Sequence, residues 1–386
     1  MKRDSRGTTM MTYRLDEATA LLRQLVAIQS YPGAEHAVQT VVANWLRDAG
    51  LPVEEWPTSA APNIVVRIEN GPGPTLLLNG HVDTVLAAAG WECDPWQGKL
   101  DGDVFYGLGA CDMKSGVVVN MLVTRELARQ RDAWSGTLIF STVGDEEAYS
   151  IGANALIEQG IAADYCLVSE PMAEVAVGAT GKVLVKADVI GKAAHGFMPW
   201  QGVNAASEAS RFVVGVDALP LGTHTRIPAS QSVLSFLSGS AQYVVTIPER
   251  AEVLVSRQIV PGESRESVLA QMQGLVEDLE SPARMELTTP SPYYPSFEID
   301  TGHPLVQALQ QAFTTVHGRA AEYVYSTGVS DANLFAELAG IPTILHGPTG
   351  GNFHQCQEWV SLSSIVTCCE VYTRTIQALL PAHATK

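Results

Sequence analysis

The sequence predicts an α/β protein: a mixed, mostly buried sheet flanked by helices, interrupted by an inserted split βαβ (ferredoxin-like) domain. Three observations predict it. Short, continuously apolar strands alternate with helical periodicity over residues 1–179 and again over 291–386, the pattern of a sheet covered on both faces. Between about 180 and 290 the order becomes strand, helix, strand, strand, helix, strand. At 386 residues the chain is also too long for one ordinary core.

In chain order, Leu15 to Gln29 carries an apolar stripe at helical spacing (Leu15, Ala18, Leu22, Leu25, Val26), and a second helix is expected from Glu35 to Ala49, stopped by Gly50 and Pro52. Asn63–Glu69 and Thr75–Asn79 read as strands joined by the turn Gly71-Pro-Gly-Pro74. A helix follows Ser115, and Thr137–Val143, Tyr165–Val168 and Thr343–Leu345 are short apolar strands. Within the insert the expected strands are Lys182–Ile190, Gln231–Leu237, Glu252–Gln258 and Met285–Thr288, with helices Asn204–Val216 and Ser264–Leu279. Pro290-Ser-Pro-Tyr-Tyr-Pro295 is the linker back. Residues 1–11 are expected to be frayed.

Composition narrows the function. Lys+Arg 24 against Asp+Glu 41 gives −17, which argues against nucleic-acid and anionic-membrane partners, both of which want basic patches. No apolar run is long enough to span a bilayer. The basic N-terminus has no apolar stretch behind it and does not read as a secretory signal. Six cysteines without a spaced framework fit free thiols in a reducing cytoplasm.

Chemistry gathers where strands end. Thr75–Asn79 runs into Gly80-His81-Val-Asp83, Thr137–Val143 into Gly144-Asp-Glu146-Glu147, and Tyr165–Val168 into Ser169-Glu170-Pro. Thr343–Leu345 leads through a glycine-rich loop to His354, and Asp112 sits on another such loop, Tyr106-Gly-Leu-Gly-Ala-Cys-Asp112-Met-Lys. The carboxyl ends of strands form the ligand-binding rim of an open α/β sheet. A lone histidine after a strand is more often structural, and Glu-Glu is more often a solvated pair. Five such pieces on one rim are harder to dismiss. Gly107-Leu-Gly109 lacks the third glycine of a dinucleotide turn, so that reading falls away.

These motifs, in this order and over about residues 15–380, resemble the M20 family of co-catalytic metallohydrolases. The resemblance implies a zinc-peptidase-like mixed sheet with a lid and dimerisation domain at 180–290. It implies two zinc ions, with cobalt or manganese as substitutes: His81 and Glu170 hold one, Glu147 and His354 the other, and Asp112 bridges. Asp83 orients the His81 imidazole. Glu146 is the general base toward the attacking water. The bond after Asp112 is expected to be cis. In the insert, Gly191-Lys-Ala-Ala-His195-Gly resembles the lid motif whose histidine, in dimeric relatives, polarises the scissile carbonyl in a neighbouring subunit's site. Arg257 stands where the family often keeps an arginine for a substrate carboxylate.

The implied activity is cleavage of the amide bond of an N-acyl amino acid or short peptide with a free carboxylate, by a cytoplasmic homodimer. An aminopeptidase or dipeptidase of the same family, or a non-catalytic amino-acid-binding relative, are the alternatives. Such aminopeptidases tend to have Asp at the position of Glu170, and non-catalytic relatives lose the base or ligands, all present here. The chain departs from the family at Thr246 (for Asn) and Ser256 (for Asp) in the lid and at Leu108 (for Arg) between the glycines before Asp112, which bears on substrate and leaves the metal set intact.

Overall fold

The computed structural model describes residues 13–239 and 245–382, so the expectation for residues 1–11 lies outside them. The chain divides into two compact units, Met1–Gly178 with Ile299–Val324 and Ser330–Lys386, and Ala179–Glu298 with Tyr325–Val329. Against the expected 180–290, the second unit runs on to Glu298. Lys182 and Tyr294 exchange main-chain hydrogen bonds at 2.7 and 3.0 Å and keep the linker on its strand.

In the first unit the main sheet runs in the order Val53–Trp56, Asn63–Asn70, Gly136–Val143, Thr75–His81, Tyr165–Val168, Thr343–Leu345, Val175–Ala179. The four strands from Gly136–Val143 to Thr343–Leu345 are parallel to their neighbours, and the flanking pairs are antiparallel. Parallel pairing buries both faces, so these strands are apolar throughout; Leu76, Leu77 and Leu78 have no solvent exposure. Helices Leu15–Val26, Ser115–Arg129 and Leu362–Leu379 pack on one another. Ser115–Arg129 is buried from Ser115 to Thr124, which its Val-Val-Val-Asn-Met-Leu-Val run requires.

Val53–Trp56 and Val175–Ala179 escape the sequence reading. The first alternates no apolar face, and the second, Val-Ala-Val-Gly-Ala, consists of small residues with a glycine inside, which weakens its strand signal. A small antiparallel sheet, Gly350–Gly351, Trp359–Ser361, Val104–Tyr106 and Lys99–Asp101, escapes it too, because its strands are two or three residues long and its central pair joins segments far apart in sequence.

The second unit is a four-stranded antiparallel sheet in the order Ser230–Ser238, Arg250–Ile259, Gly181–Ile190, Arg284–Thr288. With helices Ala205–Ala218 and Arg265–Asp278 this is the expected split βαβ arrangement. Arg250–Ile259 alternates buried and half-buried residues, and its inward Val253, Val255 and Ile259 pack with Phe212, Val216 and Met272. Asn204 caps the first helix through the N–H groups of Ala206 and Ser207, and Ser264 forms a capping box with Ser267 at the second. Each cap is typically worth about 1 kcal/mol. All six cysteines are free. Among the described residues, no helix is long and apolar enough to cross a membrane.

Candidate metal centre

Parallel register builds the site. His81 lies level with Val143, Asn79 with Val168, and Leu345 with Val168, so the ends of four strands share one edge. The segments that leave them carry His81, Glu146 and Glu147, Glu170, and His354. Close approach at this edge depends on glycine. A Cβ at Gly116 would lie 2.1 Å from the Ser169 carbonyl oxygen, and one at Gly347 would lie 2.3 Å from that of Glu170.

Asp112 enters from an irregular turn, Ala110–Lys114, in which Asp112 and Met113 leave helical geometry and the bond between them is cis. Its carboxylate stands between the two imidazoles: Oδ1 is 3.2 Å from His81 Nε2 and Oδ2 is 3.4 Å from His354 Nε2. Beyond His354, the Glu147 oxygens lie 3.0 and 3.1 Å from Nε2. Around His81 Nε2, Glu146 Oε2 lies at 3.8 Å and Glu170 Oε1 at 4.0 Å. One ligand atom each from His81, Asp112 and Glu147 falls within 4.8 Å of the others.

Asp83 supports this set from behind. Its main-chain carbonyl is 3.1 Å from His81 Nδ1 and its carboxylate Oδ1 is 3.5 Å away. The closer contact is thus to the main chain, where the sequence reading expects the carboxylate. Oδ2 accepts the N–H of Glu147 at 3.0 Å, so Asp83 ties two ligand-bearing segments together. Two further carboxylates, Glu35 and Asp145, were given no role in the sequence. Buried Glu35 accepts the N–H of Asp145 at 3.0 Å, and Asp145, at φ 65°, accepts those of Tyr149 and Ile151. Together they hold the turn that presents Glu146 and Glu147 in a conformation unusual for a non-glycine residue. The one sequence signal was an acid at a helix start, which is too common to read.

The electrostatics are those of a cation site. Burial, with neighbouring carboxylates adding to it, raises Glu146 and Glu170 well above the ordinary carboxylate range and raises Glu147 as well. Buried Asp331, beside them, is pushed up to about 7. Burial opposes ionisation of Asp112 too, but hydrogen bonds from His354 and His81 outweigh it and hold its carboxyl low. Hydrogen bonds to Asp112 and Glu147 push His354 up to about 10. Among the described residues, no lysine or arginine forms an ion pair with these groups. Lys114 donates to the carbonyls of Leu25 and Ile28 instead. Crowded carboxylates and imidazoles without a fixed cation fit divalent metal with nitrogen and oxygen ligands. Burial raises the nearby Cys111 thiol far above its ordinary value.

The two remaining candidates belong to the second unit. His195 is exposed, in a two-residue strand paired with Thr246–Ile247. The N–H of Phe197 donates to its Nδ1 at 3.2 Å, so the neutral ring carries its proton on Nε2. Arg257, expected from the resemblance to meet a substrate carboxylate, is engaged within the protein. It is 1% exposed, and its guanidinium is engaged by Glu263 Oε1 at 2.8 Å, Gln231 Oε1 at 2.9 Å and the Pro220 carbonyl at 3.0 Å. A substrate carboxylate would have to displace a buried ion pair, and losing one partner of such a pair typically costs about 3–5 kcal/mol.

Residues 77–378 match the model of peptidase family M20/M25/M40. The chain is 26% identical to a succinyl-diaminopimelate desuccinylase of Methylobacterium radiotolerans over 95% of its own length and 97% of the relative's. A tripeptidase from Staphylococcus aureus shares the fold with a TM-score of 0.79 at 23% identity, over 96% of this chain and 99% of that one. So does a dinuclear metal-binding peptidase of the M20 family from Bacillus subtilis, with a TM-score of 0.75 at 17% identity, over 96% and 99%.

Proposed function

Because the chain belongs to peptidase family M20/M25/M40, and is on that ground a metal-dependent amidohydrolase or peptidase, we propose that it is a two-metal deacylase. Its substrate would be an N-acyl amino acid, or a short peptide, with a free carboxylate. The observation that carries the two-metal reading is Asp112, which turns one carboxylate oxygen toward each imidazole. His81 and Glu170 would hold one ion, Glu147 and His354 the other, and Asp112 both. When bound, two zinc ions, or cobalt or manganese in their place, supply Lewis acidity toward the amide carbonyl and lower the pKa of a water.

The chain's own groups do the rest. Glu146, buried and of raised proton affinity, takes the proton of the attacking water and passes it to the amide nitrogen as the C–N bond breaks. Asp83 keeps His81 and the Glu147 main chain in place. His195, with its proton on Nε2, is suited to donate to the carbonyl oxygen as negative charge develops there. Succinyl is the first acyl group to test, since the matched relative of M. radiotolerans is a desuccinylase. The test is a hydrolysis screen of N-succinyl and N-acetyl amino acids and unblocked dipeptides, with zinc and after chelation. Zinc-dependent release of the amino acid from an N-acyl substrate is expected. Preferential cleavage of unblocked dipeptides would favour an aminopeptidase instead.

A homodimer through residues of about 180–290 is part of the proposal. Among the described residues, strand Ser230–Ser238 pairs on one side only, and it exposes Leu234, Phe236 and Leu237 at 57%, 43% and 62%. Such an edge invites a partner strand, and a two-fold axis pairs it with its own copy. Sedimentation is expected to give a dimer, and Leu234→Lys with Leu237→Lys to shift it toward monomer and lower activity, as His195 then acts in the neighbouring copy's site. A fully active monomer would refute both statements.

A further inference from the structure

Glu358 is acidic, 1% exposed and unused by the reaction as described. It stands one residue before strand Trp359–Ser361, which pairs in register with Val104–Tyr106, and its own carbonyl continues that pairing by accepting the N–H of Gly107 at 3.0 Å. Its side chain turns into the loop that follows. Oε2 accepts the N–H of Gly109 at 2.8 Å, and Oε1 accepts those of Cys111 and Asp112 at 2.8 and 3.0 Å. Gly109 is left-handed, at φ 73°, and the N–H groups of Gly109, Cys111 and Asp112 turn toward one carboxylate, as in an anion-binding nest. Here the anion comes from the protein itself.

Glu358 also sits four residues after His354, in the hairpin closed by the pairing of Gly350–Gly351 with Trp359–Val360. One side chain therefore fastens the loop that carries Asp112 to the hairpin that carries His354, the two groups whose atoms stand 3.4 Å apart. We propose that Glu358 is a positioning residue of the metal centre, fixing Asp112 relative to His354 by clamping the main chain of the Asp112 loop. Hydrogen bonds to three N–H groups leave that loop little freedom, and a carboxylate that must serve two ions tolerates little. The proposal rests on the two-metal reading above.

The experiment titrates cobalt or zinc into chelated full-length protein and into its Glu358→Gln and Glu358→Asp variants, following calorimetry and the visible spectrum of bound cobalt. Glutamine keeps one acceptor oxygen but turns an NH2 group toward an N–H donor, and aspartate falls a methylene short. Loss of a group that orients metal ligands typically lowers affinity about 10–100-fold. A loss of that size is expected, with a changed cobalt spectrum and with glutamine closer to the parent than aspartate. Parental affinity and spectrum in folded variants would overturn the proposal. Failure of both variants to fold with metal present would assign Glu358 to the fold and overturn it too. If the parent protein itself binds no divalent metal, the functional reading fails first, and the titration of the parent tells these cases apart.

Discussion

Replacement of Glu146 by glutamine is expected to lower kcat by about 10²–10⁴, the range typical of general acid–base groups, while both metals stay bound. Glutamine is nearly isosteric and keeps the packing of a side chain that is only 10% exposed. What it loses is the ability to hold a proton. Burial raises the proton affinity of Glu146 first; Glu170, Asp331 and Glu147 add to this, and His81 opposes it. KM should move little, because the lost interaction belongs to the transition state. Glu147→Gln is the control. Its oxygens lie 3.0 and 3.1 Å from His354 Nε2, so its loss should weaken one metal and be partly rescued by high zinc. Near-normal turnover in Glu146→Gln at full metal occupancy would falsify the assignment of the base. Were both glutamates surface residues, neither change would matter beyond a few tenths of a kcal/mol; their side chains are only 10% and 6% exposed, which argues against that reading.

How far the sequence carried this picture depends on the kind of information each residue uses. The ligand segments were legible because they follow apolar strands, and parallel register brings such ends together without further knowledge. The inserted unit was legible because its strands and helices have clear periods of two and 3.6. Arg257 was singled out because a guanidinium at a strand end looks available in a sequence, which does not show its bonds to Glu263 and Gln231. Glu358 was passed over for the opposite reason. Its partners are main-chain N–H groups 246–249 residues away, and main-chain donors leave no mark in a sequence. The hint was an acid at the mouth of an apolar strand, four residues after a candidate ligand. Asp83 lay between these cases: its place beside His81 was readable, its bond to the Glu147 N–H was not.

Metal binding is expected to release protons and to strengthen as pH rises. In the chelated protein, hydrogen bonds to Asp112 and Glu147 push His354 up to about 10, and the pull of Asp112 and Asp83 on His81 overcomes its burial and raises it as well. A cation needs the neutral imidazole, so at pH 7 to 9 it must displace those protons, and affinity should climb about tenfold per pH unit for each one displaced. The stability of the chelated protein moves the other way. His354 has a folded pKa above its unfolded value, so its contribution is complete below about 6.5 and is lost as pH rises through about 10. Glu146, Glu147 and Glu170 are raised too, and carboxyls that resist ionising in the fold destabilise it progressively above the ordinary carboxylate range. Asp112 is depressed, and its contribution is constant across this window. The Tm difference between metal-loaded and chelated protein should therefore widen from pH 6 to pH 9. Calorimetric titrations in buffers of different ionisation enthalpy count the protons directly. A Tm difference independent of pH, with no proton released, would mean that the imidazoles and carboxylates gathered around Asp112 are not where the metal binds.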